Sequence, residues 1–277
     1  RYFFYFFGLL IALSRVVVEA HFFTDVIGGL LVAIVVYKFF NYFIKIKYPD
    51  IHWGSLKISK IPIITQVLVV FFILAVFVTV GPEIDVYISS LFYYGEKQFL
   101  LQSYYPISIF FRKILLPALL IYVFILPLFL RFLPLQKIYF DYRFKVSDII
   151  FIWVSGAITM LLIVNVILKN MWGRVRPNDI SYFDGVHDFT PWYKISNTCA
   201  SNCSFVSGDS SVGFLLIIFY FITKKNVYLY LGLILGSLLG FIRIAAGGHF
   251  FSDVIFSQIV VTVTILMCFI LYKKLYD

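Results

Sequence analysis

The sequence predicts an all-α polytopic membrane protein, on the basis of its composition, its low charge and the length of its apolar runs. Hydrophobic residues make up 62% of the 277 residues, aromatic residues 21% and charged residues only 13%. A soluble domain of this size carries roughly twice that share of charged residues. Each apolar run is about 20 residues long, enough for one helix to cross a hydrocarbon core of about 30 Å. The runs do not alternate apolar and polar residues, which argues against a transmembrane β-barrel.

Eight apolar spans follow one another along the chain, and each is expected to form one helix. We predict them at about residues 2–18, 22–44, 62–80, 112–132, 147–168, 206–223, 227–245 and 249–272. Residues 81–111 mix aromatic with acidic side chains and are expected to lie along the membrane interface. Residues 178–203 are the most polar stretch and are expected to form a lid or wall over a site. Within that stretch, Cys199 and Cys203 are equally consistent with a disulfide and with two free thiols.

The basic residues predict how the spans are oriented in the membrane. The formal net charge of +9 comes from Lys and Arg residues that gather at the ends of apolar runs, where they act as orientation signals. This placement argues against nucleic acid as a partner, because no basic soluble domain is present to bind it. Threading eight spans puts four basic groups on one side, which we expect to be the cytoplasm. These groups are Lys38, Lys45, Lys47, Lys57 and Lys60; Arg131, Lys137, Arg143 and Lys145; Lys224 and Lys225; and Lys273 and Lys274.

Three polar clusters fall on the opposite side of the membrane, at residues 169–177, 204–211 and 243–253. Lys169 and Arg176 are seven residues apart, so a helix carrying both would point the two cations in the same direction. His249 and Asp253 are four apart, which places a carboxylate beside an imidazole on one helix face. Taken alone, each feature has a plainer explanation, such as a snorkelling cation, a hydrogen-bonded core histidine or a helix cap. Together they predict a phosphate-binding site that contains a nucleophile.

The spacing within these clusters resembles the signature motifs of the type 2 phosphatidic acid phosphatase family, which shares its site with vanadium haloperoxidases. The first family motif is Lys, six residues, then Arg-Pro, and the third is Ser-Arg, five residues, His, three residues, then Asp. The residues that match these two motifs are Lys169, Arg176, Pro177, Arg243, His249 and Asp253. Ile242 stands where the third motif has Ser. The resemblance covers the chain from about residue 60 to its end.

The second family motif, Pro-Ser-Gly-His, is matched in part. Ser207 and Gly208 agree with it, whereas Val206 replaces Pro and Asp209 replaces His. In the family, that His resembles a general acid that protonates the leaving alkoxide. An acidic residue at this place resembles the lipid A phosphatase branch of the family, which makes lipid A our first choice of substrate.

The resemblance implies a metal-independent lipid phosphatase that works without a cofactor, through a phosphohistidine intermediate. His249 would attack phosphorus, Asp253 would hold its other ring nitrogen, and Asp209 would protonate the leaving lipid oxygen. The residues expected to bind the substrate phosphate are Lys169, Arg176, Ser207, Gly208 and Arg243. The partners would be a lipid phosphate and the surrounding membrane lipids. The active site would face the periplasm from a bacterial inner membrane.

Three functions remain open at the level of the sequence. The first is a hydrolase acting on lipid A, polyprenyl pyrophosphate, phosphatidylglycerol phosphate or phosphatidic acid. The second is a lipid phosphotransferase, in which a hydroxyl group takes the phosphoryl group from His249. The third is a non-catalytic lipid-binding or transport relative with a degenerate site, an interpretation that Asp209 and Ile242 allow. The oligomeric state is open as well.

The first two spans resemble the tail of a second copy of the same domain. Ser14, Arg15, His21 and Asp25 repeat the third motif at the spacing found in residues 242–253. We therefore predict that residues 1–45 are the C-terminal fragment of a preceding phosphatase-like repeat. Residues 46–61 would be a cytoplasmic linker, and residues 62–277 a complete domain with a six-helix core.

Overall fold

Helices account for most of the described part of the chain, which comprises residues 62–101, 105–132 and 142–276 of a computed structural model. The helices are α1 (Ile63–Val80), α2 (Glu83–Ser90), α3 (Pro106–Phe132), α4 (Val146–Asn170), α5 (Gly208–Thr223), α6 (Asn226–Ala245) and α7 (Phe251–Tyr276). No strand forms within these residues. The all-α class is confirmed. The spans at 2–18 and 22–44, the repeated motif at residues 14–25 and the linker lie outside the described residues.

Five of these helices are long and apolar enough to cross a membrane: α1, α3, α4, α6 and α7, with mean hydropathies between 1.9 and 2.9. Their outward side chains are apolar and exposed, for example Phe72 on α1 (65% exposed) and Leu161 on α4 (65%). Such exposed apolar surface on long helices is compatible with a hydrocarbon environment and not with water. The protein is therefore a polytopic integral membrane protein.

The shorter apolar helix α5 lies at the centre of the bundle. It consists of two segments, Gly208–Phe214 and Ile217–Thr223, and residues 214–219 are all at most 3% exposed. Gly213 of α5 faces Gly236 of α6 so closely that a Cβ at Gly213 would lie 2.6 Å from the Gly236 Cα. Small residues let helix backbones approach in this way. The second polar cluster (204–211) lies at the start of α5, and the third (243–253) lies at the end of α6. Close packing of α5 against α6 therefore holds these two clusters side by side.

α3 begins at Pro106, six residues earlier than predicted. Proline suits the first turn of a helix, because its missing N–H has no intrahelical partner there in any case. The first turns contain a π-type segment, Phe111–Leu115, which widens the helix by one residue per turn. Arg112 and Lys113, which the sequence placed at the start of a span, therefore lie about two turns inside α3.

The basic ends of the helices meet at the end of the bundle opposite the three polar clusters. Tyr272 near the end of α7 donates to Asp148 at the start of α4 (Oη to Oδ1, 2.7 Å). The Lys224 ammonium, just after α5, lies 4.1 Å from the centroid of the Phe269 ring. The cations at residues 131, 145, 224, 225, 273 and 274 therefore share one end, as the spacing of the spans predicted.

The two long connections pack against the other end of the bundle. Residues 178–203 contain two short 3₁₀ turns and a disulfide between Cys199 and Cys203. Ile180 and Phe183 from this connection join Phe99 and Phe250 in a buried apolar cluster. The predicted wall is thus anchored to the protein by apolar burial as well as by the disulfide.

Candidate active site

A cavity of about 240 Å³ opens where the C-terminal ends of α4 and α6 meet the N-terminal ends of α5 and α7. The charged and titratable side chains that line it are Arg112, Lys169, Arg176, Asp209, Arg243 and His249. Five of these were predicted from the three clusters, and Arg112 of α3 was not. The other three predicted residues, Ser207, Gly208 and Asp253, lie directly behind the cavity wall. The structure therefore brings residues from all three clusters to one place.

His249 lies in the short connection between α6 and α7 and is only 2% exposed. Its Nδ1 is 2.7 Å from the carbonyl oxygen of Ser204. Because a carbonyl oxygen can only accept, the ring proton is assigned to Nδ1, and Nε2 carries the lone pair. Burial lowers the pKa of His249 to about 4, so the imidazole is neutral near pH 7. A neutral imidazole with a free nitrogen is the form that can act as a nucleophile.

Asp253 supports this imidazole less directly than the sequence predicted. Its Oδ2 is 3.6 Å from the Nδ1 of His249, longer than the contact to the Ser204 carbonyl. The carboxylate is instead occupied by the backbone N–H of Phe250 (2.8 Å), the Ser204 hydroxyl (2.5 Å) and the guanidinium of Arg174 (2.6 Å). Asp253 therefore lies beside His249 and also holds Ser204, whose carbonyl contacts the His249 ring.

Arg174 is a fully buried cation that sequence reasoning missed. Its two terminal nitrogens donate to Asp253 Oδ1 (2.6 Å) and to Asp85 Oδ2 (2.8 Å), and its Nε donates to the Thr190 carbonyl (3.0 Å). Its guanidinium carbon also lies 4.2 Å from the centroid of the Phe250 ring. Arg174 thus joins α2, the first cluster and α7 in one buried ionic network.

Asp85 is the second missed member of this network. We expected it to belong to an interfacial segment, and the structure shows that its side chain is buried inside the protein, with 1% exposed. The backbone N–H of Ser252 donates to Asp85 Oδ1 (2.8 Å), and the Ser252 hydroxyl donates to Oδ2 (2.5 Å). The available signal was the presence of two charges, Asp85 and Arg174, in a sequence that otherwise avoids charge.

Two arginines flank Asp209 inside the cavity. Its Oδ2 lies 3.4 Å from the Nε of Arg243 and 3.4 Å from the Nε of Arg112. Within the described residues, neither the Asp209 Oδ2 nor the Arg243 Nε has a hydrogen-bond partner, although both atoms are buried. A buried N–H donor without a partner is costly, and an oxyanion entering the cavity would satisfy it. The arrangement suits a phosphate group.

Neighbouring backbone and amide groups fix the other two cations. Lys169 Nζ donates to Asn202 Oδ1 (3.1 Å), and Arg176 Nη2 donates to the Asn202 carbonyl (2.7 Å). Two glycines lie at points where a cationic side chain approaches the backbone closely. A Cβ at Gly208 would lie 3.3 Å from Lys169 Nζ, and one at Gly248 would lie 2.2 Å from a terminal nitrogen of Arg243. The glycines therefore let two cations reach the cavity along the backbone.

Ser207 is fully buried and occupied by structural contacts. Its hydroxyl caps α5 by accepting from the Ser210 N–H (3.5 Å), and its own N–H donates to the Asp253 carbonyl (3.3 Å). These bonds tie the second cluster to the third. A phosphate-binding role for Ser207 and Gly208 stays a prediction.

Comparisons with known proteins agree with the motif pattern. Residues 1–49 and 150–277 match the sequence profile of the PAP2 superfamily. A lipid A 4'-phosphatase from Francisella tularensis subsp. novicida (strain U112) is 34% identical over 215 residues, which is 75% of this chain and 95% of the relative. Lipid A 4'-phosphatases from Rhizobium leguminosarum and Rhizobium etli are 37% and 38% identical over 98 and 97 residues. Each of those two matches spans 34% of this chain, and 42% and 38% of the respective relative.

No solved structure matches the chain at a significant level. The family match covers more than half of the sequence, and the Francisella relative is matched over nearly its whole length. The predicted resemblance to the type 2 phosphatidic acid phosphatases is confirmed. This chain belongs to the PAP2 superfamily.

Proposed function

We propose that this protein is a membrane phosphatase that hydrolyses a phosphate monoester of lipid A on the extracytoplasmic side of the membrane. One observation carries the proposal: a buried neutral imidazole shares a cavity with three cations from the first and third motifs and with Arg112 of α3. The names of the three relatives support the choice of lipid A. Asp209, the acidic residue in the second cluster, led to the same choice from the sequence.

The first half of the reaction forms a bond between His249 and phosphorus. Nε2 of His249 attacks, and the bond between phosphorus and the lipid oxygen breaks. Arg176, Arg243 and Lys169 stabilise the charge on the phosphoryl oxygens as it develops. A proton that enters on the phosphate monoester passes through Asp209 to the leaving lipid oxygen. The products of this half are the lipid alcohol and a phosphohistidine.

The second half returns the enzyme to its starting state. A water molecule attacks phosphorus, Asp209 takes its proton and passes it to the product, and the bond between phosphorus and Nε2 breaks to release orthophosphate. Phosphorylation makes the His249 ring cationic. The Ser204 carbonyl at 2.7 Å and the Asp253 carboxylate at 3.6 Å both stabilise that cation.

The orientation follows from the distribution of basic residues along the bundle. Cations gather at the end opposite the cavity, which the positive-inside rule assigns to the cytoplasm. The cavity would then open to the periplasm from a bacterial inner membrane. A lipid phosphate in the outer leaflet would reach it from the side, with its acyl chains in the bilayer.

A phosphate-release screen tests this proposal. Purified protein in detergent and chelator is offered lipid A, phosphatidic acid, phosphatidylglycerol phosphate and a polyprenyl pyrophosphate, each with and without an acceptor lipid. We expect release from lipid A that His249→Ala abolishes and that His187→Ala, a change in the 178–203 connection, leaves intact. Appearance of a phosphorylated acceptor lipid in place of free orthophosphate would indicate a phosphotransferase instead. Release unaffected by His249→Ala would refute the mechanism.

A further inference from the structure

A second cavity of about 250 Å³ lies beside the first, on the far side of Asp209. Its remaining lining residues all come from one side of α3: Ser108, Ile109, Arg112, Lys113 and Leu116. Arg112 and Asp209 line both cavities, so their ion pair forms the partition between them. None of the α3 residues belongs to the three clusters that carry the family resemblance.

Because α3 begins at Pro106, its first turns provide the α3 side of the second cavity. Ser108, Arg112 and Leu116 recur every four residues and form one stripe, and Ile109 and Lys113 form the stripe next to it. The π-type segment Phe111–Leu115 contains both cations that line the second cavity, Arg112 and Lys113. Such segments interrupt regular helix geometry and occur frequently at functional sites. α3 thus presents two cations and two aliphatic side chains to the space next to Asp209.

The two cavities together contain more cations than are required to neutralise the transferred phosphoryl group. Lys169, Arg176 and Arg243 already face a phosphate monoester, which carries a charge of about −1.5 to −2 near pH 7. Arg112 and Lys113 add two more cations, and Arg112 is 45% exposed. Lys and Arg side chains only donate hydrogen bonds, so they require oxygen acceptors from a ligand or from water. The second cavity is therefore suited to an oxygen-rich group.

In the proposed reaction, Asp209 contacts the oxygen that leaves phosphorus. Whatever is attached to that oxygen must extend past Asp209, and the second cavity lies there. We propose that this cavity is a leaving-group subsite for an oxygen-rich headgroup, a sugar ring with an anionic substituent. Arg112 and Lys113 donate to its oxygens, and Ile109 and Leu116 contact its apolar parts. This inference rests on the proposed function, because Asp209 defines the leaving-group side.

The subsite predicts discrimination between headgroups. A phosphorylated glycolipid brings oxygen acceptors for Arg112 and Lys113 into the second cavity, whereas a plain alkyl phosphate such as dodecyl phosphate brings only an apolar chain. Charge-assisted hydrogen bonds to a bound group contribute roughly tenfold or more each to affinity. Lys113 lines only the second cavity, so its removal should affect the glycolipid selectively.

The test compares kcat/KM for lipid A and dodecyl phosphate, using full-length protein in detergent. We expect Lys113→Ala to lower the value for lipid A about tenfold and the value for dodecyl phosphate less than about twofold. Arg112→Ala should lower both, and lipid A by more. Lys194→Ala is the matched control, since it removes an exposed cation near the same end of the protein that lines neither cavity. Equal losses on both substrates, or no loss on lipid A, would overturn the proposal.

A binding measurement separates this inference from the proposed function. Lipid A affinity is measured in a His249→Ala background, which removes the nucleophile and leaves the second cavity unchanged. Lys113→Ala in that background should weaken binding about tenfold, even if wild-type protein releases no phosphate. Unchanged affinity would reject the subsite. Absent phosphate release with a tenfold binding difference would reject only the catalytic proposal.

Discussion

Replacing Arg174 with Met removes the cation at the centre of the buried network and keeps most of the side-chain volume. Asp85 and Asp253, which Arg174 contacts at 2.8 and 2.6 Å, would then be left in the interior at no more than 1% exposure. Breaking a buried ion pair by removing one partner costs about 3–5 kcal/mol. For a protein of this size each kcal/mol lowers the unfolding midpoint by about 2–4 °C. The midpoint of Arg174→Met should therefore fall by roughly 6–20 °C.

A double-mutant cycle identifies the cause of that loss. Asp85→Asn removes one of the two carboxylates that Arg174 neutralises, so Arg174→Met should cost less in an Asp85→Asn background than in the wild-type protein. Thermal unfolding in detergent, followed by tryptophan fluorescence, gives the four midpoints. Additive losses, or a midpoint for Arg174→Met within about 2 °C of the wild-type value, would refute the view that these charges form one network.

The remaining predictions concern catalysis. Because burial lowers the pKa of His249 to about 4, the NMR signals of its ring should stay those of a neutral imidazole as pH falls through 6 and 5 and change only near 4; a titration midpoint at the ordinary histidine value of about 6.5 would contradict this. Gly248→Ala places a Cβ 2.2 Å from the Arg243 guanidinium and should lower kcat/KM by about 10²–10³, measured as phosphate release. Asp209→Asn should slow hydrolysis of lipid A far more than that of p-nitrophenyl phosphate, whose leaving group needs no proton; equal effects would remove Asp209 as the acid.

The helices and the three clusters were predictable because their signals are local. Apolar runs of about 20 residues specify membrane helices wherever they occur. The spacing of four between His249 and Asp253 is also local, although His249 lies in the connection just before α7 and only Asp253 lies on the helix. Even the convergence of the clusters could be predicted, since threading the spans places them on one side of the membrane.

The supporting network could not be predicted, because its contacts are distant in sequence. Arg174 and Asp85 are 89 residues apart, and Arg174 and Asp253 are 79 apart. No periodicity in the sequence links them. The 2.7 Å contact between His249 and the Ser204 carbonyl was equally hidden, because a backbone acceptor leaves no signature in side-chain patterns.

Arg112 was missed for a different reason. The predicted span began at this residue, which made it look like a cation at a helix end. With α3 starting at Pro106, Arg112 instead lies inside the helix and faces Asp209 at 3.4 Å. An error of six residues in one boundary therefore concealed a residue that lines both cavities.

The most direct measurement is detection of the covalent intermediate on His249. The enzyme is mixed with lipid A carrying a radiolabelled phosphate, quenched in alkali within milliseconds, digested and analysed by mass spectrometry. We predict an acid-labile phosphoryl group on the peptide that contains His249, and none in His249→Ala, which also releases no phosphate. Undiminished phosphate release by His249→Ala, or a label on another residue, would contradict attack by this imidazole.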